Sequence, residues 1–366
     1  MGNENLHVVE LKPEQYNNWD IFVEASPQGD VFCYSWWLNA ITKSNFKIIA
    51  ILNCNEIQAG IPLAFDLNGK INEPPLTRTL GPLFMNVENI SEYRKIMLHR
   101  KWLSLLLENI NIDDVIQFCT HQSFTDWLQF RWHGFKQMTR YTYLIENNGD
   151  KKDLWINLSG EKKRVIKKAK SNGLYVEISD NLKSFYHLVE LTYERQGIKF
   201  RFSLSDFERL DNEIAGRDKR RIFLVYDKNG NLHAGLYVVF NHKSAYYLLC
   251  GSDPNFRHLD GNTLAFWEAM NYFHDKVNFS NFGGSDIKRI EKYLSGFGGK
   301  LTQYFHIFTE QPKIVEVIKE VPVIKEIPVQ TAPKPNDSWK YHFYHFMHHS
   351  YSLFDILRKK VTGKKK

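Results

Sequence analysis

In the stretch YYLLCGSDPNFRHLDGN (246–262), an apolar strand pattern ends at Cys250 and Gly251, passes through a polar turn and meets a helical pattern at Gly261 and Asn262. The first N–H groups of a helix have no acceptor within it and attract anions, so this turn suits a phosphate, with Arg257 adding charge. The strand backbone around Cys250 and Gly251 would donate to a carbonyl oxygen lying beside it. Tyr246 and Tyr247 either carry a proton or simply pack in the sheet. The run EKKRVIKKAK (161–170) holds six basic residues and one acid. It is either a solvated helix face or a cationic wall for a phosphorylated group, best through Arg164 and Lys168 at i and i+4. Arg195 in YERQG follows a helix and points toward the same cleft or to solvent. Arg78 in PPLTRTLGP either meets an anionic acceptor or belongs to a loop that orders an interface. Asp286, after two glycines, either caps the last helix or accepts a proton.

These residues need a large folded body. The chain has 366 residues, 43% hydrophobic and 24% charged, which fits a globular protein of one large or two ordinary domains. No signal peptide, myristoylation motif or apolar span is read in it. Cys33, Cys54, Cys119 and Cys250 are far apart, as expected of reduced thiols in a cytoplasmic protein without structural zinc. Of the net charge of +7, residues 339–366 supply six, with seven Lys/Arg and one Asp, leaving +1 for residues 1–338. A body so close to neutral argues against a broad nucleic-acid surface.

Periodicity places helices at PEQYNNWDIFVEA, YSWWLNAITKS and SEYRKIMLHRKWLSLLLENI, with a strand hairpin turning at Asn53 to Asn55. Strand, helix and strand follow in VIQFCT, SFTDWLQFRWHG and FKQMTRYTYLIE. The second half repeats this order, and two local matches sharpen the parallel. ILNCNEIQAGIPLAF (51–65) is similar to VYDKNGNLHAGLYVVF (225–240), and HGFKQMTRYTYLI (133–145) to SGFGGKLTQYFHIF (295–308). Duplication of one α/β unit explains both, with a boundary in NNGDKKD (147–153). The expected domains are 1–150 and 151–309. A Pro-punctuated linker at 310–338 and a flexible basic aromatic tail at 339–366 would follow. The tail fits a membrane-surface or partner-docking element, and His342, His345, His348 and His349 are read as no metal site.

The second half resembles the FemAB-like branch of the GNAT acyltransferase superfamily. The resemblance rests on KKRVIKKAKSNGLYV, YERQG, LHAGLYVVF, the GSDPNFRHLDGNTLAFWEAM crossover and FGGKLTQY. It covers roughly 155–308, and reaches 1–150 through IPLAF, PPLTRTLGP and the repeated plan. It implies an α/β (α+β) fold of two GNAT-like units with mixed, mostly antiparallel sheets flanked by helices, the last helix and strand closing the second unit. It also implies acyl or aminoacyl transfer to an amine, as on cell-wall precursors and polysaccharide sugars. Arg257, Gly261 and Asn262 would then hold the donor phosphates beside Cys250 and Gly251. Tyr246, Tyr247 and Asp286 would move protons, and Arg164, Lys168, Arg195 and Arg78 would meet the acceptor. Two departures stand out. The phosphate loop has wider spacing and fewer glycines than the usual GNAT loop, and Leu294 stands where tRNA-dependent Fem ligases often have Lys. Acyl-CoA, such as acetyl-CoA, is therefore the expected donor, with a sugar or envelope precursor as acceptor. An aminoacyl-tRNA-dependent ligase and a non-catalytic binding module are the alternatives.

Overall fold

The computed structural model describes residues 6–197, 199–200, 202–284 and 286–309. The linker at 310–338, the basic tail and its histidines lie outside the described residues. The first half runs β1 (Leu6–Glu10), α1 (Tyr16–Ala25), α2 (Ser35–Thr42), β2 (Phe46–Asn53), β3 (Glu56–Ala64), β4 (Ile71–Asn72) and β5 (Leu83–Phe84), then α3 (Glu92–Leu107), β6 (Val115–Cys119), α4 (Leu128–Trp132) and β7 (Lys136–Glu146). The second begins with α5 (Lys151–Asn157), α6 (Gly160–Ser171), β8 (Tyr175–Ser179), α7 (Leu182–Glu194), α8 (Leu204–Ala215), β9 (Arg220–Tyr226) and β10 (Leu232–Phe240). It ends with β11 (Ser244–Ser252), α9 (Gly261–Phe273), β12 (Phe279–Asn281), α10 (Lys288–Ser295) and β13 (Lys300–Phe308).

Local chemistry sets many of these boundaries. Ser159 caps α6, its hydroxyl accepting from the Lys162 N–H at 3.2 Å. The β2–β3 hairpin turns through Cys54 and Asn55, both at positive φ (47° and 69°), the conformation that matches strand twist in two-residue turns. Asp150 starts α5 by accepting from the Lys152 N–H at 2.9 Å, so the polar stretch at 147–153 carries a helix start as well as a turn. Strand β1 was not expected, because its five residues show no clean alternation of buried and exposed positions. Helix α4 occupies only the end of its predicted segment.

The Ala-Gly pair shared by the two halves has one physical cause. A Cβ on Gly60 of β3 would come within 2.5 Å of the Trp19 ring of α1. A Cβ on Gly235 of β10 would come within 2.9 Å of the Phe185 ring of α7. In each half, a helix presses an aromatic ring onto the sheet where the sheet offers no side chain.

Two sheets result. One has four antiparallel strands in the order β1-β2-β3-β5. The other has nine, in the order β4-β6-β13-β7-β12-β11-β10-β9-β8, antiparallel except for the pairs β4–β6 and β11–β12. This is the mixed, mostly antiparallel α/β arrangement expected. One expectation needs correcting: β13 does not close a separate second unit. It lies between β6 and β7, both from the first half, and β7 in turn pairs with β12. The two equivalent strands, β7 and β13, thus pair with each other over nine residues, from Lys136↔Phe308 to Leu144↔Lys300.

Polar groups stitch the halves together at this shared sheet. Asp30, 1% exposed, accepts from the Thr79 hydroxyl, from the Phe32 N–H at 2.9 Å and from the Tyr246 hydroxyl at 3.1 Å. Burial raises its pKa to about 6 despite those donors. Lys243 donates to the Val23, Glu24 and Ser26 carbonyls at 3.0, 3.0 and 2.6 Å, which satisfies the end of α1. The Phe32 and Tyr246 rings meet edge-on at 4.7 Å.

Candidate active site

Among the described residues, the second half has one parallel strand pair, and it sets the geometry of the site. β11 and β12 pair for three positions, from Ser244↔Phe279 to Tyr246↔Asn281, and then part. The side-chain oxygen of Asn281 accepts from the Thr142 hydroxyl at 2.6 Å and from the Gly283 N–H at 2.9 Å, which turns the chain away from β11. Gly283 and Gly284 sit at positive φ (74° and 51°), and a Cβ on Gly284 would lie 1.6 Å from the Tyr141 carbonyl oxygen. Only glycine fits there. β11 continues to Ser252 paired with β10 but no longer with β12, and Arg78 from the first half enters the gap, donating to the Leu248 carbonyl at 3.3 Å.

Two clusters flank this gap. On the α9 side, the helix begins after Asp260, and no side chain caps it. Around that end lie Arg195, Arg257, Lys162 and Lys168, with Cys250 at the strand end. Burial, reinforced by the neighbouring Arg257, lowers the Arg195 pKa to about 10, and burial lowers that of Arg257. One terminal nitrogen of Arg195 and the carboxamide oxygen of Asn262 are buried without a hydrogen-bond partner. Lys162 is 6% exposed, and its ammonium sits 3.2 Å from the Tyr293 ring centroid and 4.4 Å from that of Phe297. Burial brings its pKa down to about 7. The Tyr293 hydroxyl reaches Thr263 in the first turn of α9 at 3.2 Å.

The opposite side is built on β7 and β13. Arg140 stands opposite Tyr304 in the ladder and faces Asp286 at 3.9 Å. Glu73 is buried beside them, accepting from the Cys119 N–H at 2.7 Å. Burial raises its pKa to about 7 against the pull of Arg140 and Arg78.

The structure divides the candidates suggested by sequence. It gathers Arg195, Arg257, Gly261, Asn262, Lys168 and Cys250 near one helix end, and places Arg78 and Asp286 near the Arg140 side. Arg164 is exposed on α6. Gly251 packs against α7, where a Cβ would come 2.5 Å from the Leu188 carbonyl carbon. Tyr246 is held by Asp30, and Tyr247 packs between Phe266 and Phe282 while burial pushes its hydroxyl pKa up. A cavity of ≈ 500 Å³ between α6, α9 and β8 is lined by none of these residues. No metal-binding group of His, Cys, Asp and Glu occurs among the described residues, and none of their helices is long and apolar enough to cross a membrane.

Lys162 and Tyr293 were missed in the sequence, although a signal was present. Lys162 is in helical phase with the buried Ile166 and Ala169. Tyr293 lies on the same α10 stripe as Ile290 and the buried Leu294. Each puts a polar tip on an apolar face.

Residues 160–286 match the family described as the acetyltransferase (GNAT) domain. No curated sequence matches the chain. Among solved structures it is similar to FemX, with a TM-score of 0.61 and 17% identity, over 83% of this chain and 98% of that one. It is also similar to the C-terminal domain of a putative lysylphosphatidylglycerol synthetase from Agrobacterium fabrum, with a TM-score of 0.50 and 10% identity, over 81% and 92%. The chain therefore has a GNAT-like fold of the kind seen in FemX.

Proposed function

We propose that this GNAT-fold protein is an N-acyltransferase that carries an acyl group from acyl-CoA to the amine of a sugar or cell-envelope precursor. The observation that carries the reading is the uncapped end of α9. Two mutually repelling arginines and a buried lysine face it, and one buried terminal nitrogen of Arg195 has no partner. Positive charge concentrated at a helix N-terminus suits the phosphates of the donor.

With the phosphates there, the thioester lies along β11, whose N–H groups near Cys250 and Gly251 stabilise charge on its oxygen. Arg78 moves aside from Leu248 to admit it. The amine nitrogen bonds to the carbonyl carbon, the carbon–sulfur bond breaks, and the amine proton passes to Asp286. Tyr293, poised at the start of α9, protonates the departing thiolate, while Tyr246 and Tyr247 shape the strand. Lys168 and Arg78 meet charge on the substrates, and Arg164 adds to the field at longer range.

The test is acyl transfer itself, with purified protein, acetyl-CoA and a panel of amino sugars. Free thiol and N-acetylated product are expected; neither binding nor thiol overturns the reading. The likeness to the putative lysylphosphatidylglycerol synthetase domain favours aminoacyl transfer as the second reading. Aminoacylated product with charged tRNA but not with acyl-CoA selects it.

A further inference from the structure

Arg140 is a buried cation with one loosely held counterpart. It is 8% exposed, yet no hydrogen bond from its guanidinium is found among the described residues, and its Nε is buried without a partner. Its one ion pair, to Asp286, is 3.9 Å long, beyond hydrogen-bond reach, and Asp286 is itself half exposed. Glu73, the buried carboxylate nearby, is engaged by the Cys119 N–H, and burial raises its pKa to about 7. The other neighbours on this side, Tyr304 and Cys119, are neutral, with pKa values raised by burial. Folded proteins rarely bury a guanidinium N–H unmatched, because the desolvation penalty goes uncompensated.

We infer that Arg140 is a receptor for an oxyanion, a carboxylate or phosphate carried by the acceptor, which anchors the acceptor so that its amine faces Asp286. This rests on the acyl-transfer reading for the word acceptor, but the anion site stands on its own geometry. A guanidinium opposite Tyr304, beside a carboxylate too distant to bond, is preorganised to take two oxygens in parallel. An oxyanion entering past Asp286 replaces the loose pair with a bidentate one.

The α9 cluster also attracts anions, so the test removes that site first. Inorganic phosphate and acetate are titrated separately, at constant ionic strength in chloride, into the full chain carrying Arg195→Met and Arg257→Met. The same titrations are run on that double variant combined with Arg140→Met or with Arg140→Lys. Arg140→Met is expected to weaken binding of at least one anion by 10-fold or more, and Arg140→Lys to weaken it several-fold. The preferred anion identifies the group on the acceptor. In chloride alone the Arg140→Met chain should melt no lower than its parent, since a loosely paired buried charge has been removed. Equal binding with and without Arg140, or binding of neither anion by the parent, overturns the inference. Acetyl-CoA binding to Arg140→Met with Arg195 and Arg257 intact separates the two proposals. Retained binding leaves the donor reading standing whatever the anions do, whereas no binding even to the wild type defeats that reading and leaves the anion result untouched.

Discussion

Replacing Arg195 and Arg257 together by methionine is expected to weaken acetyl-CoA binding about 100-fold. Two charge-assisted contacts at about 1.5 kcal/mol each add to about 3 kcal/mol, and each 1.4 kcal/mol is a factor of ten. Both side chains are half-buried at one helix end, and each already suffers from burial. Methionine keeps much of their length and apolar contact, so the fold should hold. Calorimetric titration checks the affinity. The dependence of binding on salt should flatten in the variant, because two cations no longer face the phosphates. Unchanged affinity would move the donor away from α9.

Asp30→Ala is expected to destabilise the protein by about 3 kcal/mol or more, since it strands a hydroxyl from each half and a backbone N–H inside the core. The loss should fall on the junction, where Phe32 and Tyr246 pack edge-on. The pH dependence has a definite sign. Asp30 has a folded pKa raised from 3.8 to about 6, so the native state binds the extra proton between those values. Its contribution is therefore greatest at low pH and declines as pH rises through 6. The gap between wild type and Asp30→Ala, measured by urea unfolding, should narrow over the same interval. A gap that widens would mean that Lys243 holds the carboxylate ionised.

Much of the fold was legible because it rests on local chemistry. The Ser159 cap, the hairpin at Cys54 and Asn55, and the paired Gly60 and Gly235 all act within a few residues or within one helix–sheet contact. The family resemblance came through the same segments. What escaped depends on distant partners. The exchange of β7 and β13 cannot be read from either strand, since both have the same pattern and either could close its own half. Tyr246 reads as a free phenol until Asp30, 216 residues away, is found against it. Lys162 was absorbed into a run of six basic residues, although its phase on α6 set it apart. Arg140 lies in an aromatic strand where nothing nearby in sequence marks it as buried or loosely paired.

Amide hydrogen exchange with and without acetyl-CoA tests the central claim most directly, because it reports where the donor sits. Protection of Gly261, Asn262 and Thr263 at the start of α9, together with the strand around Cys250, is the predicted result. Protection confined to the first half, or none at saturating acetyl-CoA, would contradict it.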